Sequence, residues 1–169
     1  GVELKRFSGS LLWEPETVST QGGTPFKVFT PFWRKCRDLP VTLEPSVRVH
    51  FSRWSAHGIH PESLDDWALL PDKPNWAKSW SELWQPGESH AHAKLKRFLG
   101  GAVGDYDIGR NYPARSVTSR LSAHLHFGEI APARVFHAAR QAGLMSPVLQ
   151  EETDKFLSEL GWREFSHHL

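Results

Sequence analysis

The stretch Ser116-Val-Thr-Ser-Arg-Leu-Ser-Ala-His-Leu-His-Phe-Gly-Glu129 places four hydroxyl-bearing residues and an arginine within seven positions, Ser116 to Ser122. One side-chain oxygen is enough to cap a helix, so the surplus needs another account. The spacing predicts a helix that starts at Thr118 or Ser119 and runs to about Phe127. At such a start the hydroxyls of Thr118, Ser119 and Ser122 and the free backbone N–H groups make an anion seat, and the helix dipole favours a phosphate there. Arg120 adds a positive charge. The plainer alternative is a helix cap with spare serines. The stretch is not a P-loop, because it lacks the glycines and the GK[ST] ending.

Working outward, the sequence reads as mainly α and multi-helical. From Gly87 onward Ala91, Leu95, Phe98, Leu99 and Val103 follow one helical face. A turn-rich link, Tyr106 to Pro113, leads into the serine-rich stretch. Pro132 opens a further helix with Val135, Phe136 and Ala139 inward and Gly143 as its stop. Ser146-Pro147 is expected to cap the last helix, whose core stripe is Leu149, Thr153, Phe156, Leu157 and Leu160. That helix has a second stripe, because Glu159, Trp162, Arg163 and Ser166 fall at i, i+3, i+4 and i+7. Glu159 and Arg163 alone could form an exposed ion pair worth about 0.3–0.5 kcal/mol. With Trp162 beside them, the acid, guanidinium and indole could instead seat a planar heterocycle.

Upstream the pattern loosens. Residues 1–13 alternate briefly and end in Leu11-Leu12-Trp13, which predicts one short N-terminal strand stopped at Glu14-Pro15. A short aromatic helix is expected from Thr30-Pro31, closed by Pro40. From Pro40 onward prolines at 40, 45, 61, 71, 74 and 86 fall among several tryptophans, and residues 21–86 read as a long Pro/Trp-rich linker with short helical pieces.

Composition narrows the functional classes. With 39% hydrophobic and 23% charged residues the chain is of globular type, and its net charge of +1 restricts any nucleic-acid contact to a local patch. The single Cys36 excludes an internal disulfide framework and fits a reducing, cytoplasmic setting. No apolar run reaches the roughly 20 residues of a membrane span. His90/His92 and His124/His126 have i, i+2 spacing, so each pair diverges on a helix, and no metal site is expected. No nucleophile–base set can be read out. Most of the eight tryptophans are expected to be packing residues. The opening at Gly1 without Met, and the stop at Leu169 within a helical pattern, read as a segment cut from a longer protein.

Four stretches together resemble the photolyase/cryptochrome family: GTPFKVFTPFWRKC (23–36), LLPDKPNWAKSWSELWQPGE (69–88), TSRLSAHLHFGEIAPARVFHA (118–138) and FLSELGWREFSHHL (156–169). The resemblance implies residues 1–20 as a remnant of the N-terminal α/β antenna domain, 21–86 as the inter-domain linker and 87–169 as the first part of the helical FAD-binding domain. It implies FAD as cofactor, with a folate or deazaflavin antenna in the part of the N-terminal domain outside this chain. By position Tyr106 resembles the aromatic at the cofactor pocket, and Thr118, Ser119, Arg120, Leu121 and Ser122 resemble the segment holding the FAD phosphates and ribityl chain. Arg163 resembles a residue near the flavin. Phe156 stands where relatives often carry Trp.

In the repair members of that family, the positions of Glu159 and Trp162 face a lesion flipped out of the duplex, a mode general to enzymes of this kind. Arg110 resembles a DNA-phosphate contact. The implied activity is light-driven splitting of cyclobutane pyrimidine dimers in damaged DNA by a monomeric parent protein, with the isolated segment inactive. The rivals are a cryptochrome blue-light receptor and a (6-4) photoproduct photolyase. Setting the resemblance aside, a non-enzymatic nucleic-acid-binding helical module is a further alternative.

Overall fold

The computed structural model describes residues 2–4, 9–43 and 60–169 of the 169. The chain divides into two compact units, one of residues 1–43 and 86–169, the other of residues 44–85. The first carries the helical core. Its longest element is the last helix, Gln150–His168, and the helix Pro132–Met145 packs on it. A β-carbon on Gly143 would lie 2.3 Å from the Thr153 hydroxyl oxygen, so only glycine allows this approach. Gly143 therefore sits inside its helix as a packing residue rather than ending it, a correction to the stop expected from sequence. The buried Thr153 hydroxyl is satisfied within its own helix, donating to the Leu149 carbonyl at 2.8 Å.

Along the chain the helices of this unit are Phe29–Arg37 (α1), Glu88–Leu99 (α2), Tyr106–Gly109 (α3), Ser122–His126 (α4), Pro132–Met145 (α5) and Gln150–His168 (α6). In α2 the expected stripe is buried at Ala91, Leu95 and Phe98. In α6 Thr153, Phe156, Leu157 and Leu160 are buried, and Leu149 packs against them. Each large apolar side chain so buried contributes about 1.5–3 kcal/mol. Helix α1 tolerates Pro31 because it lies in the first turn, where the missing N–H is no loss. Its inner face is Phe32 and Cys36, and burial pushes the Cys36 thiol up to about 12, so it stays protonated. Between Ser146 and α6 lies a 3-10 turn, Pro147–Leu149, and Ser146 makes no side-chain cap.

Two local expectations are corrected. Helix α4 begins at Ser122, not at Thr118 or Ser119, because Arg120 has φ +51°, a left-handed conformation that a right-handed helix cannot contain. The expected N-terminal strand also fails: no strand occurs among the described residues, although residues 1 and 5–8 lie outside them. Residues 10–13 are a bend whose partner is a side chain rather than a strand. The Leu12 N–H donates to Glu164 Oε2 at 2.6 Å, and the Trp13 indole N–H donates to the Pro40 carbonyl at 3.1 Å.

Of the second unit, residues 60–85 are described, and Pro45, Trp54 and His57 fall outside. A 3-10 turn, Leu64–Trp67, is capped by Ser63, whose hydroxyl accepts from the Asp65 N–H at 3.3 Å. A single helical turn follows at Trp80–Leu83, and the Lys73–Pro74 peptide is cis. Trp67, Trp76, Trp80 and Trp84 are all exposed, against the expectation that most tryptophans are packing residues.

Glu164 is buried, and desolvation holds its carboxyl above the ordinary carboxylate range, against the pull of the Leu12 N–H and Arg163. The native state keeps this proton where the unfolded chain has released it, so stability is lost as pH rises from the ordinary carboxylate value through the raised one. In thermal unfolding across that window, Glu164→Gln should flatten the decline in Tm. An unchanged pH–Tm profile would remove Glu164 as the titrating group.

Candidate functional site

An open cavity of about 730 Å³ lies along one side of α6. Helix α6 supplies Phe156, Glu159, Leu160, Arg163 and His167, α3 supplies Tyr106, the N-terminal bend supplies Ser10, and the serine-rich stretch with α4 supplies Ser119, Leu121, Ser122, Leu125 and His126. The volume falls within the roughly 300–1,000 Å³ of small-molecule pockets. The lining combines apolar side chains from Leu121, Leu125, Phe156 and Leu160 with polar groups from Ser119, Ser122, Glu159 and Arg163. The hydroxyls of Thr118, Ser119 and Ser122 make no hydrogen bond to another described residue, so they are open to a ligand. Because α4 has only five residues and starts late, any anion seat here rests on hydroxyls and loop backbone, not on a helix dipole.

Of the side chains expected from sequence, Tyr106, Ser119, Leu121, Ser122, Phe156, Glu159 and Arg163 share the cavity. Thr118 and Arg120 are exposed beside it in sequence without lining it. Arg110 does not line it either, but pairs with Glu159 at 2.5 Å. Trp162 lies outside the lining, stacked on Phe29 with ring centroids 3.8 Å apart and planes 11° from parallel. Ser10, Leu125, His126, Leu160 and His167 were not expected as site residues. Leu160 was legible only as core, and the His124/His126 divergence held the signal for His126: His124 turns into the core while His126 reaches the cavity.

The charges differ from the simple i, i+4 pair. Arg163 donates to Glu164 Oε1 at 2.6 Å and to the Ser10 carbonyl at 2.8 Å, leaving Glu159 to Arg110. Burial works against the Arg110 charge, but the Glu159 carboxylate and Tyr106 outweigh it and hold Arg110 above its ordinary value. Tyr106 is raised, by burial first, with Arg110 opposing. Behind the cavity His124 Nδ1 is bonded to the Glu129 carboxylate, which the Gly87 N–H and then His124 hold below the usual carboxylate range. That clasp joins α4 to the start of α2. Among the described residues no group of three or more His, Cys, Asp or Glu could hold a metal ion, and no helix is long and apolar enough to cross a membrane.

Among solved structures this chain is matched by a bacterial class III photolyase from Agrobacterium tumefaciens, with TM-score 0.79 and 40% identity over 96% of this chain and 33% of that one. The DNA photolyase family model matches residues 1–48. A deoxyribodipyrimidine photo-lyase of Agrobacterium fabrum is 42% identical over 172 residues, 100% of this chain and 35% of the relative. Cryptochrome-1 of Arabidopsis thaliana is 30% identical over 178 residues, 100% of this chain and 26% of the relative. The chain belongs to the photolyase/cryptochrome family, and it spans about a third of the length of the photolyases it matches.

With Tyr112→Phe as background, Tyr106 is the only tyrosine and its phenolate absorbance can be followed alone. Adding Arg110→Ala removes the charge that opposes burial, so the Tyr106 titration should move to higher pH. An unmoved titration would show that Arg110 does not act on Tyr106, and a move to lower pH would reverse the assigned sign.

Proposed function

We propose that this segment forms part of the flavin site and the lesion-facing surface of a photolyase that splits cyclobutane pyrimidine dimers in DNA. The observation that carries the reading is the meeting of Tyr106, Ser119, Ser122, Phe156, Glu159 and Arg163 around one cavity, drawn from three separate parts of the chain. The residues fit FAD: free hydroxyls suit a pyrophosphate and ribityl chain, aromatic and aliphatic walls suit a ring system, and Arg163 offers a fixed cation. When bound and reduced, the flavin would supply the light-driven electron transfer, which is cofactor chemistry.

The chain's own residues have positional work. Ser119 and Ser122 would hold the anionic part of the cofactor, while Phe156, Leu121 and Leu160 exclude water from it. Arg163 cannot swing away, because Glu164 and the Ser10 carbonyl hold its guanidinium. Trp162, 45% exposed, offers an indole surface for an unstacked base, and Glu159 offers a carboxylate one turn away. Arg110 would supply the local positive charge that a nearly neutral chain needs for a DNA phosphate. In this reading residues 1–20 belong to an antenna domain, 21–86 to the linker and 87–169 to the FAD domain, and the 169-residue chain alone is inactive. The second reading is a cryptochrome photoreceptor, favoured by the match to Cryptochrome-1 along the whole chain.

The test uses the protein at the full length of its relatives, with reduced flavin and an oligonucleotide carrying one thymine dimer. Thymines should be restored under blue light and not in the dark, and Trp162→Ala and Glu159→Ala should each lower repair about tenfold, the scale of one lost stacking or charged hydrogen-bond contact. A flavin-bearing protein that restores none would pass the assignment to signalling or (6-4) repair.

A further inference from the structure

Trp162 is held on one face only. Phe29 lies flat against it, and Phe29 is in turn parallel to Trp33, with planes 10° apart and centroids at 6.2 Å. Phe165 meets the Trp162 indole edge-on at 6.0 Å, and no second ring among the described residues stacks on its opposite face. The ladder is built into the core at its far end. Trp33 lies so close to α6 that a β-carbon on Gly161 would come within 2.5 Å of its ring, and Trp33 meets the buried Trp13 edge-on. Helix α1, which carries Phe29 and Trp33, is fixed by the buried Phe32 and Cys36.

We propose that Phe29 is a positioning residue for lesion recognition: it fixes the Trp162 indole in one orientation so that its open face receives the extruded base. This rests on the reading of Trp162 as a lesion-facing residue and adds the group that sets its geometry. An indole left 45% exposed would otherwise sample several rotamers, and ordering it on binding would reduce affinity. A flat aromatic backing removes that cost and adds the favourable offset-stacked contact. Phe29 touches neither substrate nor cofactor in this assignment, since it acts through Trp162.

The experiment uses the full-length flavoprotein labelled with 5-fluorotryptophan, the Trp162 resonance being assigned by its loss in Trp162→Phe. Phe29→Leu should shift that resonance, because the ring current of the stacked phenyl is gone, and a resonance that does not move overturns the stack. Affinity for the thymine-dimer oligonucleotide should fall about three- to tenfold, the range of one aromatic pair, with binding of undamaged DNA unchanged. Phe29→Tyr, which keeps the flat ring, should restore most of the loss, and Phe29→Met replaces the leucine variant if that one does not fold. In a Trp162→Ala background Phe29→Leu should cost nothing further. An equal loss in both backgrounds would make Phe29 merely structural and sink the proposal. Should Trp162→Ala alone bind the lesion as well as wild type, the lesion reading fails, and the fluorine shift still decides separately whether Phe29 orients the indole.

Discussion

A carboxylate taken out of water must find donors or stay protonated, and the way Glu164 is satisfied organises the rest of the site. Its donors are the Leu12 N–H, 152 residues away in sequence, and the neighbouring Arg163. The first bond pins the N-terminal bend onto α6, with the Trp13–Pro40 bond holding it from the other side. The second orients a guanidinium whose remaining reach goes to the Ser10 carbonyl. Ser10 and Arg163 are thereby placed together on the cavity wall. A buried, unused acid on the back of α6 thus determines where a cation stands on its front.

The two arginines near the cavity have different mobility. Arg163 is paired with a buried carboxylate, and breaking such a pair leaves an uncompensated charge, a cost of about 3–5 kcal/mol. Arg110 is paired with Glu159 where both side chains are roughly a quarter to a third exposed, and a pair of that kind is worth about 0–1 kcal/mol. The cavity therefore has one fixed cation and one exchangeable ion pair. A ligand that brings its own charge and hydrogen bonds can separate Arg110 from Glu159 at little cost, leaving the acid for a neutral heterocycle and the guanidinium for an anion. That division suits a site that binds a resident group permanently and a second, charged partner transiently.

What the sequence made legible follows from the range of the interactions involved. The stripes of α2, α5 and α6 were readable because burial repeats every three or four residues, so Ala91, Leu95 and Phe98, or Phe156 and Leu160, declare one face by local spacing alone. The common face of Glu159 and Arg163 was equally local. Their actual partners were not, since Arg110, Ser10 and Leu12 come from other parts of the chain and no periodicity encodes them. The start of α4 was misjudged because four hydroxyls look like caps, while the left-handed backbone at Arg120 that excludes a helix has no compositional sign in an arginine. The alternation of residues 1–13 imitated a strand, yet in that bend the Leu12 N–H and the Ser10 carbonyl bond to side chains, Glu164 and Arg163, rather than to a neighbouring strand. Gly143 was read as a stop, as glycines near helix ends usually are, when its function is to let two helices touch.

Helix α6 meets a different demand on each of its faces. Thr153 and Leu157 lie in the core, Phe156 and Leu160 are buried and also line the cavity, Glu164 reaches the N-terminal bend, and Trp162 reaches α1. Such a helix cannot rotate by even one residue, about 100°, without losing all of these contacts together. Gly161 is the concession that makes the arrangement possible: without a side chain there, Trp33 approaches the helix closely and Phe29 comes to lie parallel to Trp162. Trp162 can then be both solvent-exposed and oriented, two properties that seldom coincide in a surface side chain with nothing packed against it. Exposure alone would give a sticky patch, and burial alone a core residue. Exposure with one face backed by a ring anchored in the core gives a surface that a flat partner can meet without first having to order it.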